Sequence, residues 1–283
     1  VSDLDCSISA LYVHPIKSCA GIAVRDSLLI ETGLEFDRAW MLVDAEGGMV
    51  TQRQLPRMAL IVPTLKSQDM VLRAPGMLAL HIALDRVEQP TRARVWDDEV
   101  KAYDMGALAA QWFTDFLGRP LRLVRFDPDQ KRLSSRRWTG PIEAENAFGD
   151  GFPLLVAGAE SLADLNSRLA ARGVAPVDMA RFRPNIVLKG LQPFDEDHID
   201  ELIITTPEGG ARLKLVKPCV RCTIPSVDPA TGEQGHEPGD TLAGFRADAR
   251  MGGGITFAMN AVIVEGIEHM LRVGQPVKAS FNF

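Results

Sequence analysis

The sequence predicts a mainly β protein with a few helices, an α+β chain in two parts. Three observations predict it. Short apolar or alternating runs separated by Gly, Pro and Asp turns fill the first third, two helical periodicities interrupt them, and strand-like runs then return. With 283 residues there is room for one large domain or two modest ones with a sizeable core. A chain that is 46% hydrophobic and 24% charged has an ordinary globular composition, neither disordered nor fibrous.

Residues 7–13 (SISALYV) alternate loosely and read as a strand. The apolar run 40–43 (WMLV) meets Glu46-Gly47-Gly48, which turns the chain into Met49-Val50-Thr51 as a hairpin. A second hairpin spans residues 70–84 around Pro75-Gly76, and a third spans 92–103 around Asp97-Asp98-Glu99. Strands at this spacing suggest a barrel or sandwich. After Asp104 the period changes: Leu108, Trp112 and Phe116, with Phe113 beside them, predict an amphipathic helix ending at Gly118. A second helix is expected from Ser161, with Ser161-x-x-Asp164 as a capping box, Leu162, Leu165 and Leu169 on its buried face and Gly173 at its end. Strands follow at 186–188, 202–205, 212–216 and 260–264.

We expect a division into residues 1–120 and 121–283. The connector is expected in the basic run Arg119, Arg122, Arg125, Lys131, Arg132, Arg136 and Arg137, read as a solvated linker. The acidic run Asp195-Glu196-Asp197, with Asp200 and Glu201, reads as a solvated loop rather than a hard-metal site, because it lacks spaced Gly and Asn ligands.

No apolar run approaches the ~18 residues of a membrane span. The start, Val1 to Cys6, lacks the basic region of a signal peptide, so a cytoplasmic protein without membrane partners is expected. Thirty-one Lys and Arg against thirty-seven Asp and Glu give a net charge of −6, which argues against a general nucleic-acid binder.

Chemistry concentrates at Lys217-Pro218-Cys219-Val220-Arg221-Cys222. A lone Cys-x-x-Cys serves as half a zinc site, a redox dithiol or a thiolate ligand for a softer metal, and two idle cysteines are the bland alternative. Zinc lacks further ligands, because the histidines (His14, His81, His198, His236, His269) are scattered. A thioredoxin-like dithiol should open a helix, which Pro225 and Asp228-Pro229-Ala230-Thr231-Gly232 forbid. A loop thiolate survives, with Lys217 and Arg221 near enough in sequence to favour its ionised form.

Six segments together resemble one family. They are LYVHPIKSCAGI (11–22), GLEFDRAWMLVDAEGGMVTQR (33–53), FGDGFPLLVAGAESLADLNSRL (148–169), FRPNIVL (182–188), KPCVRCTIPSVDPATG (217–232) and EPGDTL (237–242). The chain resembles the MOSC superfamily, named for the molybdenum cofactor sulfurase C-terminal domain. Within it, the chain is similar to the members with an N-terminal β-barrel, the amidoxime-reducing components and their bacterial relatives. The resemblance implies an N-terminal MOSC β-barrel domain at 1–120 and a C-terminal β-barrel MOSC domain at 121–283.

It also implies a molybdenum cofactor, a molybdenum held by molybdopterin, with Cys222 as the protein's metal ligand and catalytic cysteine. The family's cofactor contacts fall here on Lys17, Ser18, Arg38, Asp150, Gly151, Phe152, Arg183, Arg221 and Asn260, although Phe257-Ala258-Met259-Asn260 lacks the family's glycine. Cations and their planar forks suit a phosphate and a pterin, and Arg221 would also help keep Cys222 ionised. Asn185 is expected to organise the backbone, and Cys219 to be a neighbour without a catalytic role. A pyridoxal phosphate association comes with the superfamily only as a label.

The reaction implied is reduction of N-hydroxylated compounds (hydroxylamines, amidoximes, N-hydroxylated nucleobases) to amines. Two electrons would come from a separate electron-donor protein of ferredoxin or cytochrome type and its reductase, since no four-cysteine run for a [2Fe–2S] cluster follows Cys222 and no N-terminal anchor is visible. The alternative is a protein that carries the cofactor or its sulfur without turning over a small molecule.

Overall fold

The computed structural model describes residues 4–86 and 89–282, so Val1, Ser2 and Asp3 of the acidic start lie outside the described residues. Strands dominate. In chain order they are β1 (Leu4–Val13), β2 (Ile22–Val24), β3 (Asp26–Ile30), β4 (Gly33–Leu34), β5 (Trp40–Val43), β6 (Met49–Val50), β7 (Val62–Leu65), β8 (Asp69–Arg73), β9 (Leu80–Ala83) and β10 (Gln89–Val95). There follow β11 (Asp98–Asp104), β12 (Arg122–Phe126), β13 (Leu154–Gly158), β14 (Ile186–Lys189), β15 (Ile199–Thr206), β16 (Gly209–Val220), β17 (Ala247–Asp248), β18 (Gly254–Glu265), β19 (Met270–Arg272) and β20 (Pro276–Phe281). The α-helices are α1 (Ala107–Leu117), α2 (Arg136–Thr139), α3 (Ala159–Ala171) and α4 (Gly239–Ala243).

Seven strands close a barrel in the order β13-β14-β1-β20-β15-β16-β18, with β18 pairing back onto β13. Closure removes every free edge among them. The first strand of the chain therefore completes a barrel built from the second half, and its loose alternation has a physical cause. Cys6 and Ile8 point into the core, the register slips between Ile8 and Ala10, and Leu11 and Val13 then take over the inward face. They meet Leu202, Ile204, Leu213, Met259 and Ala279 inside.

The second unit is a five-stranded sheet, β10-β11-β12-β5-β6, whose edges meet at an isolated bridge between Gly48 and Arg94. Beside it, the β7-β8-β9 sheet and α1 bury Met70, Leu72, Trp112, Phe113 and Phe116 against Trp40 and Leu42. Both barrels and the scarcity of helix match the fold class read from the sequence.

Four local readings need correction. Arg122 to Phe126 is strand β12 rather than linker, paired with β11 and β5; Arg122 pairs with Asp104 and Arg125 lies half-buried over the Trp40 ring, while Leu123 and Val124 are buried. Leu108 faces solvent at 74% exposure, and the buried stripe of α1 is Ala109, Trp112, Phe113, Phe116 and Leu117. Helix α3 starts before Ser161, so Ser161 is no cap. Instead the Ser161 hydroxyl and the Gly158 N–H both donate to Glu196, at 2.7 and 2.9 Å. The acidic run is accordingly no solvated loop: Glu196 is fully buried, and Asp197 is held by Arg246 at 2.5 Å.

Candidate functional site

One open cleft of about 220 Å³ lies where the two barrels meet. The loop after β1 brings Lys17 and Ser18, the loop after β4 brings Arg38, and the turn after β6 brings Thr51 and Arg53. The loop before β13 adds Asp150, Gly151 and Phe152, and the short 3₁₀ turn after α3 adds Arg183. The end of β16 contributes Lys217 and Cys219, the loop beyond it Arg221 and Cys222, and β18 contributes Asn260. All ten residues singled out from the sequence line this one cleft, although they span positions 17 to 260.

The cleft is lined by charge. Lys17, Arg38, Arg53, Arg183, Lys217 and Arg221 line it with a single carboxylate, Asp150, in a chain of net charge −6. The Lys17 ammonium donates to the Phe148 carbonyl (2.8 Å) and to Asp150 (2.5 Å), which Arg53 also approaches at 3.9 Å. Burial lowers the Lys17 pKa while Asp150 counters it. Burial pushes the Asp150 carboxyl the other way, but Lys17 and then Arg53 outweigh it and hold it below the usual carboxylate range. The Asp150 side chain is still 61% exposed.

Arg38 is oriented from behind. It pairs with Asp37 and donates to the Asn185 side chain (3.1 Å) and to the Arg183 carbonyl (2.9 Å). Burial alone would raise the Asp37 carboxyl; Arg38 and His14 overcome that and hold it at about 2. His14 is buried beneath the same charges, and burial, with Arg38 and Arg183, pushes its imidazole down to about 3, so it is neutral. Asn185 organises the backbone as expected: it accepts from the Leu155 N–H (3.0 Å) and donates to the Tyr12 carbonyl (3.3 Å), tying β13 to β1.

Arg183 donates to the Cys19 carbonyl (2.5 Å), and burial next to Arg38 lowers it to about 10. Burial likewise raises the Cys19 thiol to about 12, which leaves it inert.

The backbone is bent where these side chains emerge. Ser18, Arg38 and Arg183 all have positive φ, at 67°, 49° and 57°. Non-glycine residues adopt that region at a cost, and such strain gathers at functional sites. Ala258, in the segment that lacks the family's glycine, also has φ 71°, the conformation a glycine would favour.

At the open end, Cys222 is exposed and Cys219 half-buried, and both line the cleft. Arg221 does not reach for Cys222: its guanidinium donates to the Cys219 sulfur (3.0 Å) and to the Phe182 carbonyl (2.9 Å). Asn260 donates to the Lys217 carbonyl (3.1 Å). Gly151 is not demanded by protein packing, since a Cβ there would meet nothing within 4 Å.

Reasoning from the sequence passed over Thr51, Arg53, Phe182 and Lys217 as lining residues. Thr51 and Arg53 close the Gly33–Arg53 segment, and Lys217 opens the Cys-x-x-Cys segment, so the signal lay within stretches already singled out.

The comparisons now decide the family. Residues 6–120 match the MOSC N-terminal beta barrel domain and residues 143–278 match the MOSC domain. Over 253 residues the chain is 37% identical to mitochondrial amidoxime reducing component 2 of Rattus norvegicus, covering 85% of this chain and 72% of that protein. It is 36% identical to mitochondrial amidoxime-reducing component 1 of Homo sapiens over 250 residues, with 85% and 72% coverage. The chain belongs to the amidoxime-reducing component family of MOSC proteins. For this family member the cleft lies between the two matched regions, with Lys17, Ser18 and Arg38 from the first and Asp150, Arg183 and Cys222 from the second. Among the described residues no helix is long and apolar enough to cross a membrane, and no group of three or more His, Cys, Asp or Glu could hold a metal ion.

Proposed function

We propose that the protein is a molybdenum cofactor-dependent reductase of N-hydroxylated compounds and that the cationic cleft holds the cofactor. One observation carries this reading: six cations from both halves of an acidic chain converge on a single cleft that also presents an exposed cysteine. The residues fit such a group. Arg183 Nη2 and Arg221 Nε are buried without a hydrogen-bond partner, and a buried unsatisfied donor costs about 1–3 kcal/mol. An anionic ligand rich in acceptors satisfies both. Among the described residues no cluster of His, Cys, Asp and Glu could hold a metal, so a metal here would take its one protein ligand from a thiolate and the rest from its own organic chelator.

In this reading Cys222 is the metal ligand, Lys17, Ser18, Arg38 and Arg183 hold the phosphate end, and Asp150, Gly151, Phe152, Arg221 and Asn260 border the pterin. The bound group supplies two-electron removal of oxygen from an N–OH, giving the amine and water. The chain's own residues do the rest. Asp37 and Asn185 fix Arg38, Lys17 and Arg53 keep Asp150 ionised as an acceptor, and the exposed position of Cys222 leaves the metal side open to substrate. A separate donor protein of ferredoxin or cytochrome type returns the electrons. Anaerobic turnover of benzamidoxime with an artificial reductant tests the reading. Turnover that is lost in Cys222→Ala supports a reductase, whereas a cofactor-loaded protein that turns nothing over is a carrier.

A further inference from the structure

Lys217 differs from the other cations of the cleft. Lys17, Arg38, Arg183 and Arg221 each donate to a protein oxygen, and Arg53 approaches Asp150. Among the described residues Lys217 has no carboxylate or carbonyl partner for its ammonium. Its neighbours are two aromatic rings: the Nζ lies 5.3 Å from the Trp138 centroid and 5.7 Å from that of Phe152. On α2, Arg137 also lies 5.3 Å from the Trp138 centroid, so the indole is flanked by two cations. Ring faces stabilise the positive charge, but they leave the ammonium's three hydrogen bonds unspent.

The location says what would use them. Lys17 and Asp150 pair with each other, and the Lys17 side chain is only 7% exposed, whereas Cys222 is exposed. Phe152 and Lys217 line the same cleft as Cys222, and Lys217 is anchored there because its carbonyl accepts from Asn260. A planar ring finds the Phe152 ring in the cleft, and an anionic substituent on it finds the Lys217 ammonium, which among the described residues has no carboxylate partner.

Resting on the reductase reading above, we propose that Lys217, set between Phe152 and Trp138, is a specificity-determining residue that selects N-hydroxylated substrates carrying an anionic group on a planar ring. An N-hydroxylated aryl amidine bearing a ring carboxylate has that chemistry.

The test compares benzamidoxime with 4-carboxybenzamidoxime on the purified, cofactor-loaded protein. Wild type should favour the carboxylated substrate by about tenfold in kcat/KM, a difference of about 1.4 kcal/mol. Lys217→Met should bring the ratio near one through KM, and Trp138→Leu should lower it partway. Tryptophan quenching without reductant gives a second readout: wild type should bind 4-carboxybenzamidoxime more tightly than benzamidoxime, and Lys217→Met should not. An unchanged ratio in Lys217→Met overturns the proposal. So does loss of molybdenum from Lys217→Met, since Lys217 would then belong to the cofactor's own cradle. If wild type turns over neither compound, the reductase reading fails, while the binding difference still decides whether Lys217 recognises the anion.

Discussion

The Asp37 carboxylate is the keystone of the buried charge behind the cleft, and replacing it with Asn should be costly. Its side chain is only 3% exposed, it pairs with Arg38, and it accepts from the His14 backbone N–H at 2.8 Å. Its folded pKa falls from 3.8 to about 2, which corresponds to roughly 2 kcal/mol of stability, at ~1.4 kcal/mol per pKa unit. Because the folded value is depressed, that stability is fully present above pH ~4 and is lost as pH falls through about 2. Asp37→Asn keeps the oxygen that faces His14 but removes the charge, and it leaves Arg38 beside Arg183 without a counter-ion. The expected loss at pH 7 is therefore about 2–4 kcal/mol, toward the cost of breaking a buried pair. Urea unfolding at pH 7, followed by far-UV circular dichroism, measures it from the midpoint shift at constant slope. A variant within about 0.5 kcal/mol of wild type would refute the reasoning, because Asp37 would then carry no net charge interaction in the folded protein.

Three further outcomes follow from the same structure. His14 is buried neutral with its pKa lowered from 6.5 to about 3, so stability is full above pH ~6.5 and falls by roughly 2 kcal/mol by pH 5 as the unfolded chain takes up the proton; His14→Gln should flatten that slope in urea melts across this range. Gly33 has φ 121°, and a Cβ there would sit 2.4 Å from the Pro153 carbonyl oxygen. Gly33→Ala should thus cost about 3 kcal/mol or more and displace the Asp150–Phe152 loop, seen as a shift in unfolding midpoint together with lost cofactor content. Glu196→Ala leaves the Gly158 N–H and the Ser161 hydroxyl without their acceptor and should cost about 2–4 kcal/mol, with Glu196→Gln milder; equal thermal midpoints for wild type and the alanine variant would contradict this.

Much of the fold could be read from local signals because local physics decides it. The Trp40–Val43 hairpin, α1 with its Gly118 cap at φ 69°, and the turn into β16 follow from alternation, period and glycine. What could not be read depends on distant partners. Glu196 closes the start of α3 from a position far along the chain, and β1 finds its place between β14 and β20 only in the finished barrel. Strand β12 was obscured because Arg122 and Arg125 give it the composition of a linker, although Leu123, Val124 and Phe126 are buried.

The site shows the same division. From residue chemistry alone only the cysteine pair stood out, with several uses open. The cations acquire meaning only when the fold gathers positions 17 to 221 around one cleft. Family resemblance supplied that grouping where spacing could not. The direction of Arg221, toward Cys219 rather than its neighbour in sequence, needed the structure, because the bend of the chain after β16 sets it.

The most direct test of the account is metal and pterin analysis of protein purified anaerobically from a host that makes the cofactor. Elemental analysis and pterin fluorescence after oxidation should find molybdenum and pterin in comparable amounts in wild type, with molybdenum reduced in Cys222→Ala and little changed in Cys219→Ala. Wild-type protein holding neither molybdenum nor pterin would contradict it.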